Sequence, residues 1–265
     1  DSPNSTEAKK ALILLEDAKN TSRAPRAELQ KVITLYSDEK VTKALKAAET
    51  LIKKFPNEPV LFNICGACYK AKNNLEHAIN CFKRALEIEP KFVEAQYNLG
   101  IALRESGQIE EAKKCYEEVL IINPAYPNVH NNLGNIHLEQ SNLNLAVEHF
   151  EWAVAYDPEF STAYGNLGSS FLALGRIEDA VKNYEMVISL NPGAIEAHNN
   201  LGIALHKLGQ IDRAVELYKE AIELNSSYSL AHNNLGNAYR DLGMLDESVI
   251  SYMKAIDSKP DYAEA

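Results

Sequence analysis

No run of eighteen or more apolar residues occurs in this chain of 265 residues, so no segment has the length of a membrane-crossing helix. The opening DSPNSTEAKK has neither the basic region nor the apolar stretch of a secretory signal, and no membrane partner is expected. Positive charge is in short supply: 27 Lys and Arg stand against 37 Asp and Glu, a formal net charge of -10. Such a field repels phosphate backbones unless the basic residues gather on one face, which argues against nucleic acid as a partner. The four cysteines, Cys65, Cys68, Cys81 and Cys115, are crowded into one stretch of a chain large enough to fold without staples. Reduced thiols in a cytosol-like compartment fit that pattern, so a cytoplasmic location is expected. Cys65 and Cys68 form a C-x-x-C pair, but no second pair supplies the remaining ligands of a zinc site. The strings H-E-x-x-H, G-x-S-x-G and G-x-x-x-x-G-K are all missing. The chain therefore reads as a non-enzyme, with no catalytic residue, metal or cofactor. Glycosylation acceptor patterns at Asn4, Asn20 and Asn225 matter only for a secreted protein and are discounted.

What the sequence does contain is a folded protein's composition, 46% hydrophobic and 24% charged, arranged with a fixed period. The string NLG begins at Asn98, Asn132, Asn166, Asn200 and Asn234, and each interval is 34 residues. Six full units follow one another from Pro59: 59–92, 93–126, 127–160, 161–194, 195–228 and 229–262. The eighth position is Gly throughout, at Gly66, Gly100, Gly134, Gly168, Gly202 and Gly236. The twentieth is Ala78, Ala112, Ala146, Ala180 and Ala214, with Ser248 in the last unit. In the unit from Ser161 the further recurring places hold Tyr164, Leu167, Phe171, Tyr184, Val187 and Pro192.

This pattern resembles the tetratricopeptide repeat, a pair of helices with aromatic, Leu, Gly and Ala residues at set places and Pro near its end. The resemblance implies an all-α fold, a right-handed α–α superhelix of stacked hairpins, and a role in binding other polypeptides.

The spacing supports the same architecture by itself. Positions 4, 7, 8 and 11 recur at helical intervals and carry bulky apolar residues and the Gly, so they define a buried side of a first helix. Gly at position 8 lets a partner helix approach closely, at about 1 kcal/mol of lost helix propensity. Gly107, Gly175, Gly209 and Gly243 are placed to close that helix in a left-handed conformation. A second amphipathic helix is expected from near Ile109, Leu143, Ile177, Ile211 or Leu245 to the next Pro, because the residue before Pro is driven out of helical geometry.

Residues 25–58 read as a diverged repeat, with Ala44 and Pro56 in register but Lys31 and Val32 where Leu and Gly belong. Residues 1–24 read as a capping helix over 5–18 with a linker. Residues 263–265 read as the start of a further repeat, so the chain is expected to be a fragment of a longer protein.

Position 6 stands apart. It holds Asn98, Asn132, Asn166, Asn200 and Asn234, although Asn in a helix interior costs several tenths of a kcal/mol relative to Ala. A side-chain amide offers one acceptor and two donors, enough to pair with both the N–H and the C=O of an extended peptide. Two readings follow: a ladder that holds peptide main chain, or a ladder that bonds neighbouring repeats together. The runs HNNLGIAL from His198 and HNNLGNAY from His232 are similar to the asparagine-bearing repeats of O-linked N-acetylglucosamine transferases, a resemblance that implies protein-substrate binding at these amides. It covers repeats only and carries over no transferase activity.

Positions 2, 5, 6, 9, 12 and 13 are expected to face away from the packing side and line a concave surface. Asn131, Asn199, Asn233, Asn135 and Asn237 would extend its amide lining, with Arg104 and Arg240 adding positive charge. The expected function is a scaffold that receives extended segments of partner proteins. The alternative is the substrate-recruiting part of a larger enzyme, glycosyltransferase-like or sulfotransferase-like, with its catalytic domain beyond Ala265. Self-association through the ends of the solenoid is a further expectation.

Overall fold

The computed structural model describes residues 23–259. The expected capping helix at 5–18 and the expected start of a repeat at 263–265 lie outside them. Fourteen helices, and no strands, occur among the described residues. In order they are α1 (Arg26–Ser37), α2 (Val41–Ile52), α3 (Pro59–Ala71), α4 (Leu75–Ile88), α5 (Val93–Glu105), α6 (Ile109–Ile122) and α7 (Pro127–Glu139). Then follow α8 (Leu143–Tyr156), α9 (Ser161–Ala173), α10 (Ile177–Leu190), α11 (Ile195–Lys207), α12 (Ile211–Leu224), α13 (Ser229–Asp241) and α14 (Leu245–Ser258). The chain divides into two compact units, one through Pro124 with α1–α6 and one from Ala125 with α7–α14. Each unit is a stack of antiparallel hairpins. Within a unit, an odd-numbered helix packs on its own partner and, where that unit has them, on the second helix before it and on the next first helix.

The hairpin turn has one solution in every repeat. Gly107, Gly175, Gly209 and Gly243 have φ between 74° and 82°. At the equivalent places Glu39, Asn73 and Ser141 adopt the same left-handed conformation, at φ 58°, 57° and 61°. Around Gly107 the closing bonds run from its own N–H to the Arg104 carbonyl (3.0 Å) and from the Gln108 N–H to the Leu103 carbonyl (2.8 Å). These are the two bonds of a Schellman closure, and they cap carbonyls the helix cannot satisfy internally. The second helices begin where expected but stop one or two residues before Pro. Asn123, Asp157 and Asn191 take extended geometry there, and so does Asn225, which Ser226 follows, so proline is not required for the break.

Inside each hairpin the position-8 Gly meets an aromatic ring at position 24 of the second helix: Gly66 with Phe82, Gly134 with Phe150, Gly202 with Tyr218. The hairpin of α1 and α2 reverses the sizes, with buried Val32 at position 8 and buried Ala48 at position 24. The bulk has moved from the second helix to the first, and the site remains filled. Ser248 stands at the position-20 alanine place and donates from its hydroxyl to the Gly236 carbonyl (2.8 Å), which satisfies a buried polar atom.

Burial on the first helices is broader than the sequence pattern suggested. Positions 3 and 10 are closed off as well, as Val129 and Ile136 in α7 and Ala231 and Ala238 in α13 show. A first helix is flanked on three sides by other helices, so its free arc is narrow. Among the described residues, no helix is long and apolar enough to cross a membrane.

Candidate functional site

The amides at position 6 are half-buried, and three of them reach the preceding repeat. In the first unit, Asn98 Nδ2 donates to Asn63 Oδ1 (3.0 Å). In the second, Asn166 Nδ2 donates to Asn131 Oδ1 (2.9 Å) and Asn135 Oδ1 (3.2 Å), and Asn234 Nδ2 donates to Asn199 Oδ1 (2.8 Å). Each of the three amides links position 6 to position 5 one repeat earlier, and Asn166 reaches position 9 as well. An isolated position-6 Asn would be poor helix chemistry; paired across hairpins, it satisfies a carbonyl that packing has removed from water.

The position-5 amides therefore do not line an open surface as expected. Asn131 and Asn199 are buried because the next first helix covers that side of their own helix, and Asn233 is buried as well. Asn135 and Asn237, at position 9, are half-buried and already accept bonds, Asn135 from Asn166 and Asn237 from the Tyr252 hydroxyl (2.8 Å). Asn132 keeps the half-buried position-6 placement.

The rungs employ amide nitrogens and leave oxygens. Asn166 has both of its N–H bonds directed at Asn131 and Asn135, while its Oδ1 accepts no bond among the described residues. Asn98 and Asn234 likewise present unpaired Oδ1 atoms there. Asn200 differs. One repeat earlier, position 5 is Gly165, so no side chain waits for its amide; its Oδ1 accepts from the adjacent Asn199 Nδ2 (3.2 Å).

Charged groups at positions 12 and 13 make a second set of cross-repeat contacts. Lys70 pairs with Glu105 (3.0 Å) and His206 with Asp241 (3.0 Å), again one repeat apart. Arg240 is exposed and pairs with its neighbour Asp241 (3.3 Å). Arg104 is half-buried. Lys70 and Arg240 are thus each paired with a carboxylate.

The position-4 histidines sit in the core margin. His130, His198 and His232 are buried, with His198 Nδ1 3.0 Å from the Ala194 carbonyl and His232 Nε2 2.9 Å from the Ser226 carbonyl. Among the described residues no group of His, Cys, Asp and Glu has the arrangement to hold a metal ion. The four thiols are free. Burial pushes Cys68, Cys81 and Cys115 from an ordinary 9.0 up to about 11, with the nearby Glu49 carboxylate adding to the effect at Cys68 and Cys81. Cys65 is raised further, by burial first and by Cys81 and Cys68 next. Thiols held protonated in apolar surroundings are poor nucleophiles, so the C-x-x-C pair is packing.

A family model described as TPR repeat matches residues 66–103, 102–141, 168–209 and 204–243, more than half of the chain. A second, described as tetratricopeptide repeat, matches 127–160 and 230–262. The chain belongs to the tetratricopeptide-repeat family. Over 83 residues, 31% of its length, this TPR chain is 30% identical to the peroxisomal targeting signal receptor of Saccharomyces cerevisiae. That stretch is 14% of the receptor, so the chain spans about one seventh of the length of this curated relative. Among solved structures, MamA shares 26% identity at a TM-score of 0.59, covering 65% of this chain and 94% of that one. The C-terminal part of a TPR repeat-containing protein from Cytophaga hutchinsonii aligns at a TM-score of 0.72 with 14% identity, over 89% and 97% of the two chains. The TPR fold accounts for the glycines, the alanines and the rings.

Proposed function

We propose that this TPR chain is a protein-interaction module that receives extended peptide segments along the faces of its first helices, in a cytosol-like compartment. The observation that supports this reading is the set of half-buried position-6 amides Asn98, Asn166 and Asn234, whose nitrogens are fixed to the neighbouring repeat while their Oδ1 atoms remain free to accept. Fixed acceptors recurring along the first helices suit the N–H groups of an extended main chain, and their immobility lowers the entropy lost on binding. Main-chain recognition makes few demands on sequence, so this function calls for variable positions nearby to discriminate among partners. The similarity to a targeting signal receptor, a protein whose name states that it recognises a signal, agrees with a peptide-receiving role.

The test is calorimetry on peptides selected from a random-peptide array, comparing wild type with Asn200→Ala and with the triple variant Asn132→Ala, Asn166→Ala, Asn200→Ala. Asn200 makes no cross-repeat bond, so its substitution separates binding from folding. Weaker peptide binding by Asn200→Ala with a melting transition that stays cooperative and shifts by only a few degrees supports the proposal. Undiminished affinity in both variants removes it.

A further inference from the structure

The rung that fails at Gly165 leaves a hollow. It lies between α9, α10 and α11 of the second unit, has a volume of about 340 Å³ and is lined by Gly165, Asn166, Ser169, Tyr184, Glu196 and Asn200, among others. Sister repeats carry Asn131, Asn199 or Asn233 where Gly165 stands, and those amides fill the corresponding space. A Cβ added at Gly165 would meet nothing nearer than Val187 Cγ2 at 3.9 Å, so the glycine is not demanded by close packing. In a helix interior it lowers stability by about 1 kcal/mol relative to Ala. The backbone here is ordinary helix, so no left-handed geometry calls for glycine either.

The lining has a definite polarity. Asn166 offers only its Oδ1, since both amide hydrogens are directed at Asn131 and Asn135. Ser169 donates its hydroxyl hydrogen to the Gly165 carbonyl (3.0 Å), so the Tyr184 hydroxyl, 3.1 Å away, donates to Ser169 Oγ and keeps its own lone pairs. Glu196 is the one ionisable group of the lining that carries charge at neutral pH, and it is negative. Asn200 Nδ2 is the amide donor facing this set, with no partner among the described residues. Acceptors outnumber donors, and no cation is present to balance the carboxylate.

We propose that this hollow takes the ammonium or guanidinium end of a lysine or arginine side chain of the bound peptide, which makes Gly165 the residue that sets a preference for a basic residue at one place in the ligand. The inference rests on the peptide-binding reading above and gives it a side-chain specificity. Arginine and lysine carry only donors on their heads, and the hollow offers an amide oxygen, a phenol oxygen and a carboxylate to receive them. The aliphatic stem would lie along Val187 and Ala197, which also line the space. Because Glu196 is exposed, the discrimination is modest, about three- to tenfold between a basic residue and its neutral isostere.

Two arms test this. In the first, array-selected peptides are rescanned with lysine, norleucine and glutamate at each place, against wild type, Gly165→Asn and Glu196→Gln. A several-fold preference for lysine at one place in wild type, lost in both variants while affinity for the norleucine peptide persists, is the expected result. In the second, Nα-acetyl-lysine methylamide is titrated alone while the side-chain amide NMR signals of Asn166 and Asn200 are followed. Saturable shifts with this probe, absent with Nα-acetyl-norleucine methylamide and absent in Gly165→Asn, are expected. Peptides that bind without a lysine preference, or a preference that survives both substitutions, overturn the hollow's assignment and leave main-chain binding intact. If no peptide binds but the lysine probe shifts both amides, the peptide reading falls and the cation site stands. If neither arm responds, both fall.

Discussion

Tyr218 occupies the space that a side chain on Gly202 would need, for a Cβ built there would lie 2.5 Å from the ring's Cε1. The ring is almost wholly buried and belongs to the core of the second unit, so it has no route of retreat. Gly202→Ala gains about 1 kcal/mol of helix propensity but overpacks the hairpin, and the balance is a loss of about 1–3 kcal/mol. Gly165→Ala, with open space around its Cβ, is expected to gain up to about 1 kcal/mol. Urea melts of the two variants check the pair: a stabilised Gly202→Ala would mean that the ring does not define that place.

Relief of backbone strain is expected at Ser141 and Glu39, which hold φ of 61° and 58° without being glycine. The left-handed region costs an L-residue roughly 1–2 kcal/mol, and glycine returns part of that through its freer unfolded state. Ser141→Gly and Glu39→Gly should each stabilise by about 1 kcal/mol in thermal denaturation. Gly107→Ala, the reverse exchange at the equivalent turn, should destabilise by a similar amount.

How far these features were legible in the sequence differs from place to place. The recurrence of Gly at position 8 and of Ala at position 20 announced the hairpin, since sterically demanded small residues leave a mark that repeats. The turn residues Glu39, Asn73 and Ser141 did not show, because the Schellman bonds that hold them left-handed come from the backbone and put no signature on the side chain. The amide row at position 6 was visible, but which of its two readings applied was not. Asn131 and Asn199 looked like surface residues by helical phase alone, and they are buried because the next hairpin supplies a third wall. One-helix periodicity carries no information about a repeat stacked alongside. Gly165 was legible only as a missing asparagine, and its meaning required knowing which amide would have bonded to it.

Removal of a rung should be felt in stability where the rung exists. Asn166→Ala leaves the buried Asn131 Oδ1 without its donor, and an unsatisfied buried acceptor costs about 1–3 kcal/mol. Asn200→Ala breaks no cross-repeat bond and removes only the longer acceptor contact to the buried Asn199 Nδ2, so its loss should be the smaller, about 1 kcal/mol or less. Equal losses in denaturant titrations of the two variants would contradict the rung assignment.

Alkaline pH should unfold the protein through its thiols. The raised values of Cys68, Cys81 and Cys115 mean that the folded chain holds these protons more tightly than the unfolded chain. Below pH 9 both states are protonated and the groups leave stability unchanged. Between about 9 and 11 the unfolded thiols ionise first, so stability falls as pH rises. Native-state alkylation by iodoacetamide should stay slow at pH 8 and accelerate on the same pH rise. Rapid labelling at pH 8 without unfolding would contradict the protonated, enclosed state of the three sulfurs.

The amide pairs also work as a measuring device. Asn63 to Asn98, Asn131 to Asn166 and Asn199 to Asn234 each bridge 35 places along the chain. One inserted residue inside a first helix turns everything beyond it by about 100° and carries the donor off its acceptor. Evolution and protein engineers can therefore exchange entire modules of this chain freely, while a single-residue insertion or deletion within those helices is forbidden unless a second one restores the count.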